Sequence, residues 1–254
     1  MKVISTNLVN SSAQFDENIS RPKRVAIMQP YFFPYIGYYQ LVAAVDVFVF
    51  YDDVNFIKGG WINRNKILNN NKNGYFTLPL SKSSSYKRIN EIVRLDNHSN
   101  LDKTIIQTYN KAPYFDDVYP IISKILESDE DRISQLSIQS IKSIFHYLEI
   151  EKSFILSSEM YPETKNLKKQ DRIIEICKKL GAEQYINSYK GKKLYSKEYF
   201  KKQGLSINYL RPGIVPYRQY GSNFKEGLSI IDVLMFNKPE MVKEMMFSYN
   251  IVYD

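Results

Sequence analysis

Asp52 and Asp53 stand side by side in the run Tyr51-Asp-Asp-Val54, directly after the apolar stretch VFVFY, Val47 to Tyr51. A β-branched and aromatic run of that length predicts a buried strand. The two carboxylates then fall at its carboxyl end, where open α/β sheets bind their ligands. A carboxylate there can bind a metal, accept from a sugar hydroxyl or take a proton from an ammonium. The competing reading is a turn-initiating Asp that caps the following loop. Neighbours on an extended chain point to opposite faces, so one of the pair is expected to enter a site. Both stand as candidate catalytic groups, and no set of metal ligands is expected around them.

Three further stretches hold residues suited to binding. GGWINRNKI, Gly59 to Ile67, contains the only tryptophan of the chain, Trp61, followed by Asn63 and Arg64. Arg suits bidentate recognition of phosphate or carboxylate, Asn both donates and accepts, and an indole can stack on a base or sugar ring. Trp61 as a plug of the core is the alternative. INSYKGKKLYS, Ile186 to Ser196, reads as a strand-to-helix turn through Gly191, with Asn187, Lys190, Lys193 and Tyr195 as candidate ligands. Such a turn can hold phosphate with amides and ammonium groups, although no GxxxxGK[ST] or GxGxxG is present. QPYFFPYIGYY, Gln29 to Tyr39, leaves the first predicted strand. Pro30 and Pro34 stiffen it, Gly37 permits close backbone approach, and Phe32 or Phe33 is expected in the core. Gln29, Tyr31, Tyr35 and Tyr38 are expected to line a sugar or nucleotide pocket facing the two acids.

The elements around these residues follow from periodicity. RVAIM (Arg24 to Met28), an apolar helix from Gly37 to Val45 and VFVFY form a βαβ unit. Asn55 to Asn73 reads as a polar loop, YFTLPL (Tyr75 to Leu80) as a strand, and INEIVRL (Ile89 to Leu95) as a half-exposed strand. Leu101 to Tyr147 is helical, punctuated by Pro113 and Pro120. SFILSS (Ser153 to Ser158) reads as a strand, Asp171 to Ala182 as a helix closed by Gly181, and QYINS as a strand. A short helix ending at Gly204, the strand SINYL, and helices over Gly227 to Asn237 and from Pro239 to Tyr249 complete the chain. The expected fold is α/β, with a Rossmann-like three-layer core, a mainly parallel sheet and a helical insertion around residues 100–150. Residues 1–22 are expected to be a flexible N-terminal extension and 23–254 a single domain.

Composition narrows the class. The chain has 254 residues, 44% hydrophobic and 24% charged, enough for a substantial core. No apolar run is long enough to span a bilayer, and no secretory n- and h-region opens the sequence, so a cytoplasmic protein is expected. A single cysteine, Cys177, excludes an internal disulfide. It lies on an apolar helix face, while His98 sits in a polar turn and His146 on a polar helix face. Thiol catalysis and a Ser-His-Asp triad therefore find no support. The net charge is +8. Between Lys165 and Lys202 twelve Lys or Arg face four Asp or Glu. Such a surplus points to a phosphate-bearing partner, whether nucleotide, phosphopantetheine, nucleic acid or acidic membrane, unless it only keeps the surface solvated. Nucleic acid is the weakest of these, because the aromatics follow prolines in one loop instead of alternating along a strand.

Taken together, IMQPYFFPYIGYYQL, VDVFVFYDDVNFIKGGWINRNKI, FTLPL, KAPYF, INSYKGKKLY and LSIIDVLM resemble the WbqC-like family, over a span from about Arg24 to Asn237. Many of that family carry His where this chain has Met28, so no role for that histidine transfers. A fainter similarity to nucleotidylyltransferase folds places Tyr35-Ile36-Gly37-Tyr38 at their HxGH motif, and the missing histidines argue against adenylyl transfer. The family resemblance implies sugar modification in O-antigen or polysaccharide biosynthesis: acylation or aminoacylation of an amino group on a nucleotide-linked deoxysugar. The donor would be a thioester of coenzyme A or of phosphopantetheine on an acyl or peptidyl carrier protein, with no tightly bound cofactor. Aminolysis needs an oriented amine, a base and donors for the oxyanion. Asp52 or Asp53 is then the expected base, and Asn63, Arg64 or Tyr38 the expected oxyanion or phosphate ligand. The alternative is a non-catalytic module that binds a nucleotide sugar or a carrier protein.

Overall fold

The computed structural model describes residues 21–69, 72–95, 99–221 and 223–253. Most of the expected N-terminal extension, and His98, lie outside the described residues.

The βαβ unit forms as its pattern demands. Strand β1 (Arg24–Met28), helix α1 (Ile36–Ala43) and strand β2 (Val47–Phe50) follow one another, and β1 pairs in parallel with β2, Val25 opposite Val47 and Met28 opposite Phe50. Alternation then sorts the side chains between two layers. Ala26, Phe48 and Phe50 join one apolar cluster, and Val25, Ile27, Val47 and Val49 join the other. A sheet buried on both faces is the usual fate of parallel strands.

Between β2 and its next neighbour the chain makes a long excursion. Asn55 to Asn73, expected to be loop, contains β3 (Arg64–Asn69), which forms an antiparallel hairpin with β4 (Lys72–Thr77). The alternation was hidden by polar residues, because buried Asn65 and Ile67 alternate with half-buried Arg64 and Lys66. Two-residue strands β5 (Leu80–Ser81) and β6 (Val93–Arg94) pair next. The strand expected over Ile89 to Leu95 is shortened to β6 by a 3-10 turn, Ile89–Glu91, in which the Glu91 carboxylate accepts from the Arg88 amide at 2.7 Å. The expected helical segment follows as α2 (Ser99–Tyr109), α3 (Phe115–Leu126) and α4 (Ile133–Tyr147). It ends at β7 (Ser153–Leu156), which pairs in parallel with β2. The insertion is therefore the crossover from β2 to β7.

The chain next builds outward from the other side of β1. After α5 (Ser157–Met160) and α6 (Lys169–Lys179), strand β8 (Gln184–Ser188) pairs in parallel with β1. Helix α7 (Lys197–Lys202) leads to β9 (Ser206–Pro212), parallel to β8. Helices α8 (Ile230–Phe236) and α9 (Pro239–Phe247) precede β10 (Tyr249–Val252), antiparallel to β9. This last strand begins at Tyr249, where the helix was expected to end. Sheet order is β10-β9-β8-β1-β2-β7, a mixed α/β fold of the Rossmann-like kind with one antiparallel edge. Among the described residues no helix is long and apolar enough to cross a membrane.

Candidate functional site

Strand order reverses at β1. The chain runs from β1 through β2 to β7, then returns to place β8 on the opposite side. The carboxyl ends of β1 and β8 therefore frame a switch point, the position where open α/β sheets bind ligands. The loop leaving β1 is QPYFFPYIGYY, and the turn leaving β8 is SYKGKKL.

The β1 loop is clamped from three directions. Phe32 and Phe33 are fully buried, and the Phe32 amide donates to the Ile62 carbonyl at 2.9 Å. Phe33 adopts φ +42°; its amide donates to Ser140 Oγ at 3.1 Å. Its carbonyl accepts from Asn65 Nδ2 at 3.1 Å and Ser229 Oγ at 2.7 Å. Such anchoring offsets the strain of a non-glycine residue at positive φ and fixes the direction of the tyrosines. Tyr38 is buried and spends its hydroxyl on the Gln29 carbonyl at 2.8 Å, so it holds the loop while Gln29 stays half-buried at the strand exit. Tyr31 and Tyr35 remain half-buried, with Tyr31 packed on Tyr38 at 5.5 Å between ring centroids.

Tyr35 reaches across the switch point toward Ser188 at the end of β8, near enough for that hydroxyl to temper its phenol. Burial raises the phenols of Tyr31 and Tyr35, and their mutual proximity raises Tyr31 further. Both stay protonated at neutral pH and can donate. Gly37 lies under the Tyr35 ring: a Cβ there would come within 2.4 Å of Tyr35 Cε2 and 2.9 Å of Pro212 Cγ.

The β8 side supplies polar and basic groups. Asn187 is buried, its side-chain Oδ1 accepting from the Ser188 amide at 2.8 Å. The turn after it packs so closely that a Cβ on Gly191 would sit 2.5 Å from Asn187 Nδ2. Tyr189 carries the Arg211 guanidinium 4.3 Å above its ring. Lys190 and Lys193 are exposed on the 3-10 turn Tyr189–Leu194, which forms the expected connection from β8 to the short helix α7. Lys193 and Tyr195 line a cavity of about 610 Å³ together with Lys168, Lys169, Gln170 and Asp171. Tyr195 is half-buried and edge-on to Tyr185 at 5.9 Å. Three ammonium groups against one carboxylate make the cavity cationic and suited to phosphate.

Asp52 and Asp53 lie beyond the end of β2, in a turn, and do not diverge as a strand would make them. Ser157 Oγ stands 3.1 Å from Asp52 and 2.6 Å from Asp53. Asp52 also accepts from the Ser158 amide at 3.1 Å, Ser158 Oγ at 2.6 Å and Asn90 Nδ2 at 3.4 Å. Asp53 pairs with Arg172 at 2.6 Å, both side chains being almost wholly buried. The guanidinium also donates to Thr164 Oγ1 at 3.0 Å and lies 4.8 Å over the Tyr51 ring. Burial pushes the Tyr51 phenol up to about 12, against the pull of Arg172. All four carboxylate oxygens thus have partners, and the group fastens β2 to the start of α5 and to α6. Arg172, Ser157 and Ser158 were missed in sequence. The available signal was Arg172 itself, a charge one turn from Ile176 on the apolar face of α6.

Trp61, Asn63 and Arg64 belong to the hairpin. Asn63 Nδ2 donates to the Leu78 carbonyl at 2.8 Å, a bond across the hairpin base. Arg64 donates to the Gly60 carbonyl at 3.0 Å and to that of Gly59. Trp61 is exposed and does not plug the core. Cys177 is fully buried and its thiol is pushed up to about 12, which leaves it inert at neutral pH.

A Rossmann-like protein with an aromatic and basic wall at its switch point is the class that fold and site define. The sequence pattern of the WbqC-like protein family matches residues 29–244, and the chain belongs to that family. It is 27% identical over 220 residues to Uncharacterized protein Rv1507c of Mycobacterium tuberculosis, spanning 85% of this chain and 94% of that one. No solved structure matches it.

Proposed function

We propose that the switch-point crevice binds a nucleotide-linked amino-deoxysugar, and that the protein forms an amide on its amino group from an acyl or aminoacyl thioester, in O-antigen or polysaccharide biosynthesis. The observation that carries this reading is the approach of half-buried Tyr35, with Tyr31 near it, to Ser188 across the β1–β8 switch point, together with the lysine-lined cavity that the turn after β8 helps to form. Rigid phenols suit a sugar ring and its hydroxyls. Lys168, Lys169 and Lys193 suit the phosphates of the nucleotide or of a pantetheine donor.

In the reaction the amine nitrogen attacks the thioester carbonyl carbon, the C–S bond breaks, and the thiol leaves with the proton that the nitrogen loses. No enzyme nucleophile is required. Holding the two substrates in register supplies most of the acceleration. Asp52 and Asp53 serve by fixing the end of β2, since their oxygens are already bonded. Protonated Tyr31 and Tyr35 are the groups free to donate to a developing oxyanion.

Purified protein incubated with a UDP- or dTDP-linked amino-deoxysugar and acetyl-coenzyme A, or an aminoacyl thioester, tests this. The expected result is a sugar nucleotide heavier by the acyl group, with one free thiol released per amide. The saturation of both carboxylates also favours a second reading, a module that binds the nucleotide sugar without turning it over. Saturable binding with no new mass across the donor panel supports that reading; absence of binding removes both.

A further inference from the structure

The hairpin and the loops at its base carry a charge excess separate from the lysine cavity. Between Asn55 and Leu95 the sequence has eight Lys or Arg and one acid, Glu91, which is engaged with the Arg88 amide. The same region exposes large apolar side chains: Ile57 at 54%, Trp61 at 41%, Tyr75 at 54% and Tyr86 at 94%. Backbone bonds tie these together. The Phe56 amide donates to the Lys87 carbonyl at 2.9 Å, which holds Ile57 beside the Tyr86 loop, and the Gly60 amide donates to the Ile57 carbonyl at 3.0 Å. Trp61 and Tyr75 face each other at 6.3 Å, with Arg64 5.3 Å from the Tyr75 centroid and Lys66 5.7 Å from the Trp61 centroid.

We propose that this face docks on an anionic lipid surface. Trp and Tyr favour the headgroup layer, where an apolar ring and a polar edge are both satisfied. Each Lys or Arg near an anionic leaflet adds an attraction that salt screens, and Glu91 is the one acid of the segment; of its eight cations Arg94 is turned away, donating to the Leu126 and Ser128 carbonyls. An exposed Ile57 adds apolar area that enters the headgroup boundary. A nucleic-acid strand fits less well. Arg64 and Lys66 already lie over the rings that a base would stack on, and Ile57 offers a base nothing to stack against. The face goes beyond the proposed transferase reading and stands whether or not that reading holds.

Trp61, as the sole tryptophan, reports directly on this face. The full chain is titrated with vesicles of phosphatidylcholine alone, with vesicles of phosphatidylcholine and phosphatidylglycerol in equal parts, and with a single-stranded oligonucleotide. The expected outcome is a blue shift of Trp61 emission and co-sedimentation with the mixed vesicles only, both weakened by salt. Lys58→Glu with Lys66→Glu lowers vesicle affinity by about tenfold or more, with an unchanged far-ultraviolet circular dichroism spectrum. No shift with mixed vesicles, an equal response to neutral ones, a response to the oligonucleotide but not to vesicles, or undiminished binding by the folded double variant would each overturn the proposal.

Discussion

Two groups of polar residues occupy the carboxyl end of the same sheet, and they do opposite work. At β2, Asp52 and Asp53 are buried, and every oxygen is taken by Ser157, Ser158, Asn90 or Arg172. At β1 and β8, Tyr31, Tyr35, Lys190 and Lys193 are half-buried or exposed, and Lys193 lines a cavity. Position at a strand's carboxyl end made the first group the expected catalytic one, yet openness belongs to the second. Burying a charge without a partner is too costly for a fold to tolerate, so a carboxylate this deep is bonded. Groups kept for a ligand must leave some of their hydrogen-bonding capacity unspent.

The sharpest way to break this contrast is to remove one partner of the buried pair. Asp53→Ala leaves the Arg172 guanidinium buried against Tyr51 with its charge uncompensated, and is expected to lose about 3–5 kcal/mol of stability. Arg172→Ala is expected to lose a similar amount, and the double variant less than the sum of the two, because the second removal relieves the orphan left by the first. Urea unfolding of the three variants measures this. Unfolding free energies for the single variants within about 1 kcal/mol of the parent's would mean that Asp53 is free for chemistry after all.

Gly37→Ala comes next in size and sharpens the other side of the comparison. On helix propensity alone, Ala in α1 would stabilise by roughly 0.5–1 kcal/mol. The added Cβ would meet the Tyr35 ring at 2.4 Å and Pro212 at 2.9 Å, both stiff groups. Overpacking of that kind costs about 1–3 kcal/mol, so the clash wins. The expected result is a lower thermal midpoint, together with weaker sugar-nucleotide binding as Tyr35 is pushed from Ser188. A rise in the midpoint with binding intact would show that the wall is looser than the geometry implies.

A third carboxylate extends the contrast. Asp232 is buried without a cation, accepting from Tyr109 Oη at 2.9 Å, Tyr217 Oη at 2.7 Å and Gln219 Nε2 at 2.8 Å. Desolvation raises its pKa, and these three donors only partly offset the rise. The native carboxyl holds its proton to higher pH than the unfolded one. Unfolding therefore releases a proton in that window, and stability falls as pH climbs from the unfolded carboxyl's range through the raised native value. One proton bounds the slope at about 1.4 kcal/mol per pH unit. Stability measured across the acidic range in the parent and in Asp232→Asn checks it: the downward slope should be shallower in the variant.

How much of this was legible depended on how far apart in sequence the cooperating residues lie. The βαβ unit, the parallel strands and the helical crossover follow from local apolar runs, and these were readable. β3 was not, because its buried positions include Asn65, and β10 was not, because Tyr249 continues an apolar helix pattern. The clustering of Tyr31, Tyr35 and Tyr38 was visible, whereas the division of labour among them was not. Asp53 and Arg172 are joined only by the return of the chain to β8's side of the sheet. Local periodicity has no access to such a pairing.

The smallest expected effect separates two tyrosines that sequence treats alike. Tyr38 donates to the Gln29 carbonyl from a buried position, so Tyr38→Phe leaves that acceptor short of a partner and should lower stability by about 1 kcal/mol. Tyr35 is half-buried with Ser188 near its hydroxyl, where water can replace a lost neighbour, so Tyr35→Phe should leave the unfolding midpoint almost unmoved. If its hydroxyl touches the sugar, affinity for the amino-sugar nucleotide should fall by roughly fivefold, the equivalent of one neutral hydrogen bond. Calorimetric titration beside thermal unfolding reads both quantities. Equal losses of stability in the two variants, with affinity untouched, would return Tyr35 to the core and move the binding wall toward the lysine cavity.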